Sequence, residues 1–182
     1  MNKSLQLIPR RQKNFLRDFL RDIAWPAMAG NVAWAFFSVA IDPQSVEDML
    51  PRLGTLLALA LYLSAEWYRI RRVGSTLLGL WFDLFLVICI VWFAIATQAN
   101  KGAPGMALVL IFLGVGIGHL RGVWPPTGEG KGNFEFGQIN LWMAALLFTS
   151  LLVVSSWQPW VSFFAVIIVF LFWLNLRHGK AL

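Results

Sequence analysis

Residues 77–97, with the sequence LLGLWFDLFLVICIVWFAIAT, decide the fold class, because Asp83 is the one charged residue among them. A helix needs about 20 consecutive apolar residues to cross the hydrocarbon core of a bilayer, and this stretch has that length. A membrane-spanning β-strand would need alternating polar and apolar residues, which the stretch lacks. The stretch therefore predicts a transmembrane α-helix.

The composition of the whole chain is also that of a membrane protein. Of its 182 residues, 58% are hydrophobic and 13% are charged, and the mean hydropathy is +0.66. A soluble domain carries about 25% charged residues. The apolar blocks expected to form spans are residues 25–41, 53–68, 77–97, 105–124, 139–156 and 159–176. We therefore predict an all-α polytopic membrane protein, with about six transmembrane helices in one bundle at residues 24–176.

Residues 1–23 have the pattern of an amphipathic helix. Apolar side chains such as Leu16 and Leu20 recur at helical spacing opposite charged ones such as Arg17 and Asp18. We expect this basic segment to lie in the cytoplasmic interface of the membrane. A cleaved signal peptide is the alternative, but a long polar segment precedes the first apolar block and no convincing cleavage site follows it.

The distribution of Lys and Arg predicts the orientation in the membrane. With a cytoplasmic N-terminus and six spans, every basic residue except Arg52 and Lys101 falls on the cytoplasmic side. Removing one span would destroy this separation, whereas removing two consecutive spans would preserve it, so four spans are the alternative. We expect a multi-pass protein of a bacterial inner membrane, with both termini cytoplasmic and residues 177–182 forming a basic tail.

The connections between the blocks are mostly short, so we expect helices that follow one another to pack as antiparallel neighbours. The longest connection, residues 124–138, contains Pro125, Pro126 and four glycines. This composition predicts a flexible cytoplasmic loop.

Polar and ionisable residues inside a membrane are costly, so they are the first candidates for a functional site. The candidate intramembrane polar cluster consists of Asn31, Glu66, Asp83, His119 and Arg121. One interpretation is a proton or ligand site centred on Asp83. The structural interpretation is that Asp83 bonds to His119 or Arg121 and holds two helices together. In a third, Asp83 lies close enough to the surface to meet water.

Glycines recur with a spacing of four in the fourth apolar block, at Gly114, Gly118 and Gly122. Small residues at this spacing allow another helix to approach closely. We therefore predict a helix-packing face, which contacts either a helix of the same chain or a partner.

Several classes of function are disfavoured. The single cysteine, Cys89, allows no intrachain disulfide or cysteine metal site, and no metalloprotease, nucleophile-elbow or phosphate-loop motif is present. We expect no metal, no cofactor and no catalytic activity. The net charge of +6 does not indicate nucleic acid, because the basic residues separate by membrane side and form no single stripe.

We therefore expect a non-catalytic integral membrane protein that acts through protein partners in or at the bilayer, as an accessory subunit or an immunity-type protein. Its expected partners are a membrane protein or further copies of itself, with anionic lipid headgroups at the inner face. The alternative is an oligomeric channel or small transporter in which Asp83, Glu66 and Asn31 line the path. A lipid-acting intramembrane enzyme is the third hypothesis, and it would have to use residues of the same polar cluster.

Overall fold

The computed structural model describes residues 4–42, 46–70, 77–99, 104–121, 131–153 and 158–178, and every element in these ranges is helical. The elements are α1 Ser4–Phe19, a π-helical segment Leu20–Ala24, α2 Trp25–Ile41, α3 Val46–Ile70, α4 Leu77–Ala99, α5 Pro104–Arg121, α6 Lys131–Val153 and α7 Gln158–His178. The predicted all-α class is confirmed.

The first three elements form one continuous rod. Phe19 and Trp25, on either side of the π-helical segment, both have right-handed helical backbone angles. The predicted boundary between the amphipathic segment and the bundle, after residue 23, therefore lies within the π-helical segment, and the helix continues through it. At 1.5 Å per residue the rod is about 57 Å long, nearly twice the hydrocarbon thickness of a bilayer. If α2 crosses a membrane, α1 extends beyond it.

Three helices in the described residues are long and apolar enough to cross a membrane by length and composition, namely Gln12–Ile41, Gly79–Ala99 and Gln158–Asn175. Pro104–Leu120 is a shorter apolar helix. Large apolar side chains also cover the outside of the bundle, for example Ile41, Trp142 and Leu152 with exposed fractions of 81%, 71% and 73%. A helical membrane protein accounts for these exposed side chains, and the count of six spans stays a prediction.

Helices α2 to α7 pack side by side in a closed ring. The order around the ring is α2, α3, α7, α6, α5 and α4, and α4 returns to α2. The pair α5 and α6 is the most extensive, and α4 also packs along α1 and the π-helical segment. Helices that follow one another are neighbours in the ring except α3 and α4, which have α2 between them. That exception departs from the expectation of sequential packing, because α2 offers packing surfaces to both α3 and α4.

Contacts near the helix ends give the relative directions. Arg52, near the start of α3, reaches Thr97 near the end of α4. Gly105, at the start of α5, lies against Leu151 near the end of α6. The starts of α3 and α5 therefore lie at the same end of their pairs as the ends of α4 and α6. This alternation is the one that the predicted separation of basic residues requires.

Helix α3 begins seven residues before the predicted block. Glu47 and Asp48 lie in its first turn, where negative charge is favourable next to the helix N-terminus. Pro51 lies inside this helix, and the Thr55 hydroxyl donates a 2.7 Å hydrogen bond to its carbonyl. The first turns of α3 are polar, so hydropathy alone placed the start of this helix too late in the sequence.

Helix α6 corrects the predicted loop at residues 124–138, because the chain is helical from Lys131 onward. Phe136 is buried, and Gly137 lies against Leu120 of α5. The glycine content suggested flexibility, but Gly137 serves a close contact between helices. Residues 122–130 lie outside the described residues.

Candidate functional site

The five residues of the candidate polar cluster lie on four different helices. The Asn31 amide on α2 donates a 2.9 Å hydrogen bond to the Ala27 carbonyl of its own helix. Asp83 on α4 is half-buried. The side chains of Glu66 and Arg121, although on α3 and α5, lie outside what the structure describes. The predicted meeting of the five residues, including a bond from Asp83 to His119 or Arg121, stays a prediction.

His119 joins an aromatic cluster at the end of the bundle where α5 ends and α6 begins. Its ring packs edge-on against Phe136 of α6, with centroids 4.9 Å apart. Tyr62 of α3 lies 6.4 Å from Phe136 and 6.3 Å from Trp173 of α7, also measured between ring centroids. Edge-to-face and tilted contacts at these distances are favourable. Four helices from distant parts of the sequence therefore meet in this aromatic cluster.

Asn140 is the buried polar residue next to this cluster, one turn beyond Phe136. Its amide nitrogen donates a 2.8 Å hydrogen bond to the Phe136 carbonyl. Its buried Oδ1 atom accepts no hydrogen bond within the described part of the chain. Asn140 was not among the predicted site residues, because it stands at the start of the apolar block 139–156, where a polar residue is expected to meet water.

The space beside Asn140 is nearly filled. The cavity that Asn140 and Tyr62 line, together with residues of α5 and α7, has a volume of about 10 Å³. A cavity needs about 10–15 Å³ of this kind to hold one water molecule. Among the described residues, the space that this cavity leaves between α3, α5, α6 and α7 is too small for a wide polar passage.

The glycines of the predicted packing face have different surroundings in the structure. A Cβ atom on Gly114 would lie 2.8 Å from the Leu86 side chain of α4, so Gly114 packs within the chain. A Cβ atom on Gly118 would meet nothing within 4 Å. Gly122 lies outside the described residues. The intrachain interpretation thus fits Gly114, and a partner contact at Gly118 stays a prediction.

The close approach of α5 and α6 depends on a glycine pair that the four-residue spacing did not indicate. A Cβ atom on Gly116 would lie 3.1 Å from the Gly137 carbonyl oxygen, and one on Gly137 would lie 3.1 Å from the Gly116 carbonyl oxygen. Leu141 and Leu120 approach the same two positions even more closely. Since backbone atoms are involved, a side chain at either glycine would force the helices apart.

We predict that Gly116→Ala lowers the free energy of unfolding in detergent by about 1–3 kcal/mol, the usual cost of overpacking. Gly118→Ala is the matched control, because the same methyl group enters open space on the same helix. It should leave stability unchanged or raise it slightly, since alanine is the better helix former. Equal stability of the two variants in a denaturant titration would contradict the close approach at Gly116.

Arg52, which the sequence marked only as an exception to the separation of basic residues, has a structural role. Its side chain has an exposed fraction of only 6%, and its Nη2 group donates to the carbonyl oxygens of Thr97 and Gln98 at the end of α4. The last four carbonyls of a helix have no partner within that helix and carry partial negative charge. The guanidinium therefore caps α4 from another helix. The sequence contained one signal of this role. Arg52 is a single basic residue one helical turn after Asp48, in a segment that the predicted topology places on the side with few basic residues.

Arg52→Ala should lower the free energy of unfolding by about 1.5–3 kcal/mol, because the charged hydrogen bonds to α4 are lost. Arg17→Ala is the comparison variant: Arg17 is an exposed arginine that pairs with its neighbour Asp18. Exposed pairs of this kind contribute only about 0–1 kcal/mol. The assignment fails if both variants melt at the same temperature in the same detergent.

An apolar groove runs along the outside of the bundle between α2 and α3. It has a volume of about 570 Å³ and extends from Trp25 to Phe37 on α2 and from Leu56 to Ser64 on α3. The Ser64 hydroxyl donates to the Ala60 carbonyl of its own helix, so the polar group within the groove is satisfied locally. Within the described residues, no group of three or more His, Cys, Asp or Glu side chains is arranged to hold a metal ion.

Comparison with known proteins adds no relative: no family model, curated protein or solved structure matches this chain.

Proposed function

We propose that this chain is a non-catalytic integral membrane protein that acts by binding protein partners in or at the bilayer, as an accessory subunit or an immunity-type protein. The observation that carries the proposal is the small cavity between α3, α5, α6 and α7, whose volume of about 10 Å³ has room for about one water molecule. A solute would need a wider continuous path. The proposal therefore assigns function to the outer surface and not to the centre.

The outer surface of α5 supports this assignment. Gly118 and Ile117 are both exposed, and the space above Gly118 is open. In lipid, helices associate through close backbone approach at small residues, because apolar side chains gain nothing by leaving an apolar solvent. A partner helix could therefore pack at Gly118 without any rearrangement of this chain.

The channel or transporter alternative would use Asp83, Glu66 and Asn31, and it has less support. The Asn31 amide is already bonded to the Ala27 carbonyl on its own helix. A path between subunits is still compatible with a packed monomer, so the decisive measurement is flux.

We propose six spans with both termini in the cytoplasm of a bacterial inner membrane. Topology reporters inserted after residues 44, 101 and 156 should report the outside, and those after residues 73, 126 and 180 the cytoplasm. The reason is the separation of all basic residues except Arg52 and Lys101 onto one side. A cytoplasmic signal at position 101 would contradict the six-span arrangement.

Partner binding can be tested with a photoreactive amino acid in place of Ile117 in the native membrane. The parent should cross-link to a membrane protein or to a second copy, and Gly118→Leu should abolish the product by filling the space that a partner helix needs. Gly30→Leu is the matched control, because a Cβ atom on Gly30 also meets nothing within 4 Å.

The purified parent should produce no ion or proton flux in liposomes above that of protein-free vesicles. Measurable flux would replace the proposal with the channel alternative. Equal cross-linking by the two leucine variants would remove Gly118 from the interface.

A further inference from the structure

We propose that the groove between α2 and α3 binds one hydrocarbon chain of an anionic phospholipid, with the lipid phosphate at the basic end of α1. This inference rests on the proposed membrane location, but it needs neither the protein partner nor the count of six spans. The groove has the size and the apolar lining for such a chain, and basic residues follow it along the same rod.

The dimensions of the groove suit a long, thin occupant. From Trp25 to Phe37 the groove follows α2 for 12 residues, which is about 18 Å at 1.5 Å per residue. Its volume of about 570 Å³ corresponds to a mean cross-section of about 30 Å² over that length. A single extended hydrocarbon chain fits within a groove of this length and width.

The lining is apolar on both walls. On α2 it includes Trp25, Ala29, Ala33 and Phe37, which follow one another at intervals of four residues along one ridge of the helix. On α3 it includes Leu57 and Ala60. The small side chains of the alanines leave the space that the occupant fills, and the aromatic rings bound it at both ends.

The rod that carries this ridge continues into basic residues. Arg21, Arg17 and Lys13 precede Trp25 along it, and the π-helical segment Leu20–Ala24 does not interrupt the rod. Arg21 is held by Asp22 at 2.6 Å and by Asp18 at 3.3 Å. Residues 10–22 nevertheless contain five basic and two acidic side chains, so positive charge remains in excess.

An apolar groove that ends in excess positive charge is complementary to a molecule with a hydrocarbon chain and a negative headgroup. In a bilayer the chain gains no hydrophobic energy by moving from lipid to the groove, so selectivity comes from the headgroup. Basic residues near a membrane surface attract anionic lipids in this way. The amphipathic α1 is thus the headgroup-binding part of the site and α2 the chain-binding part.

The test uses the full chain, delipidated in detergent and then mixed with equal amounts of phosphatidylglycerol and phosphatidylcholine. Native mass spectrometry measures the lipid that each protein retains. The parent should retain a single phosphatidylglycerol in preference to phosphatidylcholine. Ala33→Phe fills the groove and should lower retention about tenfold, and Ala29→Phe, one turn away, should repeat the effect.

Ala145→Phe is the control for the filled groove, because Ala145 is an exposed alanine on α6. It should retain lipid as the parent does. The double variant Lys13→Gln with Arg17→Gln should still retain lipid but lose preference for phosphatidylglycerol, by about fivefold for each charge removed. Thermal stability of each variant shows that the fold is intact.

Equal retention by Ala33→Phe, Ala29→Phe and Ala145→Phe would overturn the proposal. A parent protein that retains the two lipids equally would also overturn it. So would a parent protein that is a dimer in the mass spectrum and that Ala33→Phe converts to a monomer, because a second copy would then occupy the groove. Because retention is measured in detergent, it is independent of the topology reporters and of the cross-linking at Ile117. Failure of either proposal is therefore recognised separately.

Discussion

Polar groups surrounded by hydrocarbon must find hydrogen bonds within the protein, and this constraint accounts for the hydrogen bonds of the polar side chains on α2, α3 and α6. Several polar side chains meet it by donating to a carbonyl about one turn earlier on the same helix. The pairs are Asn31 with Ala27, Thr55 with Pro51, Ser64 with Ala60, Asn140 with Phe136, Thr149 with Ala145, and Ser150 with Leu147. Such bonds stabilise a single helix but do not specify which helices become neighbours.

Neighbouring helices are specified mainly by close packing. Gly116 and Gly137 bring α5 and α6 together, and Gly114 accommodates Leu86 of α4. Lipid chains are as apolar as leucine, so complementarity of shape must supply what the hydrophobic effect supplies in water. Arg52 makes a directional contact at one end of the ring. Its guanidinium on α3 donates a hydrogen bond to a carbonyl at the end of α4, although α3 and α4 are not adjacent in the ring.

The packing of aromatic and apolar side chains limits what the centre of the bundle can do. Aromatic rings occupy the region around His119, and the cavity beside Asn140 has room for about one water molecule. The features with capacity for binding lie instead on the outside, at the open surface of Gly118 and in the groove beside Trp25. Under the proposed function, the chain acts laterally, towards molecules that share the bilayer.

The sequence alone determined the helical class and the position of most helices, because an apolar stretch of about 20 residues is a local property with one stable outcome in lipid. It also indicated the alternating directions through the distribution of basic residues. It misplaced the start of α6, because a glycine in a helix contact and a glycine in a loop look alike in sequence. Only the tertiary structure decided that α2 separates α3 from α4, that Gly116 and not Gly118 faces α6, and that Arg52 is buried. Each of these depends on contacts between residues far apart in the chain, which no local pattern records.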